Sequence, residues 1–374
     1  MFRNLILPFV SLLGCLQLKA QQPVDPQATK ATKELYSKLE KLSRRFTIFG
    51  QQDALAYGVG WKNVPGRCDI KSVVNDRPGL YGWDLAHLEL DSSRNIDNVP
   101  FDQMKQFIRE GHERGGIITI SWHARNPLSA GSAWDTTPGT AAAILPGGTK
   151  HALYKSWLDR IALFMNDLKD SRGELIPVLF RPFHELTGNW FWWCKNVCTP
   201  DEFDQLWKFT LHYLRDEKKL HHLLYVYNVA GFNDEAELME RYPGDTYIDL
   251  ITFDNYQYDT SATGRKQFIQ QMRRQCETVC NIAAMKNKIA AIGETGLEAI
   301  PDAGWWTGVV WPIIKDLQIA YVLVWRNEGY IPSKNKMHYF APYPKQASVK
   351  DFRKFHSNPR ILFEKRLKQQ LQSL

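Results

Sequence analysis

Eight short, nearly continuous apolar runs recur along the chain, at residues 46–51, 79–85, 116–122, 175–181, 222–228, 247–255, 288–294 and 320–326. Runs of this kind, without a polar alternation, suit strands buried on both faces. Helical patterns separate most of them, as parallel βαβ units require. One such helix has a clear start: Thr199 as cap, Pro200 in the first turn and Glu202 at the third position, followed by a stripe of Phe203, Leu206, Trp207 and Leu214. An open doubly wound sheet would place a glycine-rich phosphate loop after its first strand, and none follows here. The expected fold class is therefore α/β, a (β/α)8 TIM barrel over residues 46–374. A linker and helix at 21–45 precede it, with Leu35, Leu39 and Leu42 on one stripe of the helix.

The first twenty residues read as a secretory signal: Arg3, an apolar run over 5–16, and Ala20 before a polar segment, with cleavage expected after Ala20. A second reading takes Leu12-Leu13-Gly14-Cys15 as a lipoprotein box with Cys15 lipidated. Either one exports the protein, to the periplasm or beyond. No other stretch is long and apolar enough to span a bilayer. The formal charge of +7 comes from 47 basic residues set against 40 acidic ones, with no long basic run. The most basic stretch, 360–368, reads as an amphipathic helix face, so a nucleic-acid partner is not expected. Of six cysteines, Cys194 and Cys198 are expected to bridge, and Cys276 and Cys280 to be free thiols. No paired Cys or His has zinc-finger spacing, and neither a metal nor a cofactor is expected. A monomer is expected.

Barrel chemistry gathers at the C-terminal edge of the strands. Strand three ends Ser121-Trp122-His123 and strand four Arg181-Pro182-Phe183-His184-Glu185. Strand six ends Phe253-Asp254-Asn255-Tyr256, strand seven Gly293-Glu294-Thr295-Gly296, and strand eight Trp325-Arg326-Asn327-Glu328. Two glutamates at strands four and seven suit glycoside hydrolysis, where one protonates the leaving oxygen and the other attacks the anomeric carbon. A His or Arg bonded to one carboxylate alone would hold the two apart in pKa. The chain has 13 Trp. Trp157 and Trp207 fall in helical patterns as core, whereas Trp190, Trp192, Trp193 and Trp325 fall beside the glutamates as expected sugar platforms.

At these residues the sequence resembles glycoside hydrolase family 26, mostly β-mannanases. The stretch Arg181-Pro182-Phe183-His184-Glu185-Leu186-Thr187-Gly188-Asn189-Trp190-Phe191-Trp192-Trp193 is similar to its acid/base signature, and Ile292-Gly293-Glu294-Thr295-Gly296 to its nucleophile strand. The resemblance implies a retaining barrel with Glu185 as acid/base and Glu294 as nucleophile. It implies that Tyr256 hydrogen-bonds the nucleophile and that His184 orients the active-site carboxylates. Trp325 would floor the subsite of the distorted sugar, with Trp190 across the cleavage point. His123, Asp254 and Arg326 would bind hydroxyls on the nonreducing side, and Trp134 and Glu89 are further matches. The implied partner is a β-mannan polysaccharide or oligosaccharide: mannan, glucomannan or galactomannan.

Two long segments, 125–150 after strand three and 329–346 after strand eight, must lie at the active-site mouth. They are expected to wall off one end of the groove and favour short products such as mannobiose. Within the same family, a β-1,3-xylanase or mixed-linkage glucanase is the alternative. A non-catalytic glycan-binding protein is the alternative from another class. A metal-dependent barrel hydrolase would need a His-x-His pair on strand one, which 46–52 does not offer.

Overall fold

The computed structural model describes residues 22–374. The leader-like segment and Cys15 lie outside the described residues. Eight parallel strands form a closed barrel: β1 (Thr47–Gln52), β2 (Leu80–Asp84), β3 (Ile117–Ser121), β4 (Val178–Arg181), β5 (Leu223–Ala230), β6 (Leu250–Gln257), β7 (Ile289–Leu297) and β8 (Ile319–Val324). Each pairs with its sequence neighbours, and β8 closes on β1 through Ile48 opposite Tyr321 to Gln51 opposite Val324. All eight expected runs contain a strand. Their side chains alternate, so residues two apart share a face. On β4, β5 and β6 that rule aligns Leu179 with Arg181, Leu224 and Val226 with Asn228, and Leu250 with Thr252 and Asp254. The barrel is thus apolar at its N-terminal end, with its buried charges at the C-terminal end.

The N-terminal helix (Lys30–Ser43) belongs to the same body. Tyr36, Leu39 and Leu42 are buried in the cluster that contains Ile48, Leu80, Leu179 and Leu250. Leu35, expected on that stripe, is only half-buried. The preceding stretch is docked rather than loose: Val24 donates its N–H to Asp249 (2.7 Å), and Asp25 pairs with His221 (2.8 Å). The helix Pro200–His212 begins as expected, with Thr199 and Glu202 forming a reciprocal capping box.

Cys194 and Cys198 are buried free thiols, so the expected bridge is not formed. Instead the Cys194 thiol donates to the Glu185 carbonyl (3.4 Å) and that of Cys198 to the Thr199 carbonyl (3.6 Å). Cys276 and Cys280 are free thiols as well. No described helix is long and apolar enough to cross a membrane.

Candidate active site

A cavity of about 310 Å³ opens where the strands end, with Glu185 and Glu294 both in its wall. A carboxylate oxygen of each lies within 4.8 Å of the other. That is the close spacing of a nucleophile and acid/base pair. Inversion needs roughly 6.5–9.5 Å between the carboxyl groups, to admit a water.

The two glutamates are held differently. Glu294 Oε1 accepts from Arg181 Nη2 (2.6 Å), and Oε2 accepts from the Tyr256 hydroxyl (2.8 Å). The two bonds fix the orientation of the carboxylate. Arg181 Nη1 turns to Asp254 Oδ2 (3.1 Å), and Asn228 Nδ2 donates to Asp254 Oδ1 (2.8 Å). Gly293 makes this network possible: a Cβ there would sit 2.3 Å from Asn228 Nδ2 and 2.4 Å from Asp254 Oδ1. Residue 293 is also the extra residue of a bulge, since Phe253 faces Ile292 while Asp254 already faces Glu294. The bulge aims the Glu294 side chain at the mouth.

Glu185 sits at φ 55°, in the left-handed region that a non-glycine residue enters only under constraint. Its N–H donates to Asn228 Oδ1 (3.0 Å), while its carbonyl accepts from Gly188 N–H (2.8 Å) and the Cys194 thiol. Among the described residues the sole hydrogen-bond partner of its carboxylate is Trp190, whose indole N–H donates to Oε2 (2.7 Å). Burial and the nearby Glu294 charge push the Glu185 carboxyl up to about 7, against the Trp190 bond, which favours the ionised form. A general acid must be protonated, so kcat/KM is expected to fall with an alkaline limb near pH 7. Trp190→Phe removes the bond that stabilises the carboxylate and therefore raises the pKa. Its pH–rate profile should carry the limb to higher pH, by about half a unit to one unit.

His184, expected to orient the two carboxylates, makes no hydrogen bond to Glu185 or Glu294. Its Nε2 lies 3.0 Å from His123 Nε2, and His123 Nδ1 lies 2.7 Å from Asp84 Oδ2. Burial, His123 and Arg181 lower the His184 pKa well below its usual value. Burial also opposes charge on His123, but the Asp84 carboxylate overrides it and raises that pKa. The result is a chain in which Asp84 orients His123 and His123 orients His184.

Of the other expected residues, His123, Trp134, Trp190, Tyr256 and Trp325 line the cavity. Asp254, expected to bind hydroxyls, has a fully buried side chain committed to Arg181 and Asn228. Arg326 is likewise engaged, with Asp97 (3.0 Å) and Glu328 (2.8 Å). Glu89 is buried and braces the loop after β3, accepting from Trp122 Nε1 (3.1 Å) and from Arg125 N–H (3.0 Å). That loop brings Trp134 over His123, with ring centroids 5.3 Å apart and 21° between planes. Trp192 and Trp193 are fully buried and are not platforms. Their indoles donate to the carbonyls of Ala124 and His184, propping the ends of β3 and β4.

The sequence reading did not single out Arg181, Asp84 or Asn228 for a role. All three are polar residues at strand ends, and strand parity points Arg181 and Asn228 inward with Asp254, a signal that was available. The oxygens of Glu185, Asp254 and Glu294 lie close enough to hold a metal ion. Arg181 already places its guanidinium on two of the three, and that fixed positive charge opposes a cation.

The family model described as Glycosyl hydrolase family 26 matches residues 24–299. A β-mannanase structure of that family from Bacteroides ovatus superposes with a TM-score of 0.85 at 41% identity, covering 90% of this chain and 96% of that one. The catalytic domain of an endo-β-1,4-mannanase from a Bacillus species gives 0.86 at 31% identity, covering 94% and 96%. A mannan endo-1,4-beta-mannosidase from Bifidobacterium adolescentis is 33% identical over 278 residues. That match takes in 73% of this chain but only 27% of the length of the Bifidobacterium protein.

Proposed function

The chain belongs to glycosyl hydrolase family 26, and from that premise we propose that it is a retaining β-1,4-mannanase acting on mannan, glucomannan or galactomannan. The close approach of Glu185 to Glu294, with Arg181 on the nucleophile alone, carries the reading. In the first step the protonated Glu185 gives its proton to the leaving oxygen while Glu294 attacks the anomeric carbon, forming a glycosyl-enzyme ester. In the second, ionised Glu185 takes a proton from water, which displaces Glu294 and restores the β-configuration. Tyr256 and Arg181 hold Glu294 in place throughout. Trp190 and Trp325 supply flat apolar faces for sugar rings on either side of the break.

The printed names of the relatives favour mannan over 1,3-xylan and mixed-linkage glucan. The test is hydrolysis of a panel of mannan, glucomannan, 1,3-xylan and lichenan, with the first products followed by proton NMR. Mannan cleavage giving the β-anomer before mutarotation is expected. Immediate α-anomer, or no cleavage of mannans, overturns the reading.

Short products such as mannobiose remain part of this proposal. Trp134 on the loop after β3 and the hairpin after β8 both reach the cavity, which supports a groove narrowed at its rims. A product time course should show one short oligosaccharide dominating from the start. A broad ladder at early times would reject it.

A further inference from the structure

Beyond the family-matched segment, a hairpin after β8 pairs Gly329–Ile331 with Lys336–His338. It packs beside Glu298, just past β7. Lys336 Nζ donates to Glu298 Oε2 (2.8 Å), and His338 Nδ1 lies 2.6 Å from Glu298 Oε1. Double displacement uses none of these groups, yet all three line the catalytic cavity.

The placement of Glu298 is costly. Ala299 and Ile300 follow it at φ 58° and 40°, and a β-branched residue in the left-handed region is strained. The surrounding contacts enforce the turn: Ala299 N–H donates to the Tyr339 carbonyl (2.9 Å) and Gln346 Nε2 to the Ile300 carbonyl (3.0 Å). Strain of this kind persists where its surroundings over-determine it, and it clusters at functional sites. Next to the triad stands Tyr258, on the same cavity and 86% exposed. Its ring stands free at the cavity wall, where the apolar face of a sugar ring can stack on it.

We propose that Tyr258, Glu298 and Lys336 form a further sugar subsite on the β6–β8 rim, across the mouth from the Trp134 rim after β3. Tyr258 takes the face of a sugar ring. The Glu298 carboxylate and Lys336 ammonium, each with hydrogen-bonding capacity left over from their pair, take a neighbouring donor and acceptor on two adjacent hydroxyls. His338 is a positioning residue that fixes Glu298. This rests on the mannanase reading for the identity of the sugar.

The experiment compares Tyr258→Ala and Lys336→Met with wild type on β-1,4-mannooligosaccharides of about two to six units. Tyr258 is exposed and Lys336 sits on the hairpin, so neither change removes core packing. The ratio of kcat/KM on the longest to that on the shortest cleaved substrate should fall about tenfold or more in both variants, through KM. An unchanged ratio in either variant overturns the subsite. A wild type that leaves mannooligosaccharides intact but cleaves 1,3-xylan or lichenan oligomers rejects the mannanase reading alone, and the ratio is then read on those oligomers. A wild type inert on all of them overturns both.

Discussion

Glu294→Ala should reduce kcat on mannan by roughly five orders of magnitude, the scale on which enzymes lose a nucleophile. The variant keeps the acid, the platforms and the groove, so KM should move far less than kcat. The cavity left by the carboxylate sits beside the Arg181 guanidinium and the Tyr256 hydroxyl, both of which then face a small empty volume. Azide fits such a space. With an activated aryl β-mannoside it should attack the anomeric carbon from the nucleophile's own side, giving the α-mannosyl azide. Glu185→Ala should give the opposite outcome: the glycosyl-enzyme still forms when the leaving group needs no proton, and azide then displaces Glu294 to give the β-azide. Mass and anomeric coupling of the two products check both assignments. The reverse pattern would exchange the roles given to the two glutamates, and identical azide configuration from both variants would dissolve them. A binding protein would lose nothing in either variant, so the same pair also separates enzyme from lectin.

The barrel was legible because strands buried on both faces leave uninterrupted apolar runs, and eight such runs at barrel spacing admit few other closures. Glu185 and Glu294 were legible as mouth residues because Glu294 lies on β7 itself and Glu185 only four residues past the end of β4. Residues further out in the loops are not placed by their strand in this way. Trp192 and Trp193 stand in the same motif as Trp190, but both are buried with their indoles on backbone carbonyls, and of the three only Trp190 lines the cavity. Asp254 was expected to bind hydroxyls and is instead fully buried against Arg181 and Asn228. Sequence position shows that a charge reaches the rim, not whether another buried charge claims it first. Glu298, Lys336 and Tyr258 come from three separate loops, and no spacing in the chain brings them together.

Arg181 carries the second large effect. Its guanidinium is 1% exposed and bridges two carboxylates whose side chains are 0% and 5% exposed. Arg181→Met preserves much of the volume but strands both charges. Breaking a buried pair in this way costs about 3–5 kcal/mol, which lowers Tm by roughly 5–10 °C. The loss has a pH signature. Burial and the Glu294 charge already push the Asp254 carboxyl well above its usual range, with Arg181 acting against them. Without Arg181 that carboxyl binds its proton more tightly still in the folded state than in the unfolded one. A group of that kind favours the folded state below its unfolded pKa, and the advantage is lost as pH rises through the folded value. The deficit against wild type should therefore be absent at acid pH and grow as pH rises past the wild-type folded value of Asp254, as read by denaturant midpoints from acid to alkaline pH. Activity should fall with it, by about a thousandfold, because Glu294 keeps only Tyr256 to hold it. A deficit independent of pH would show that Arg181 contributes packing rather than charge, and the electrostatic account of the nucleophile would then have to rest on Tyr256 alone.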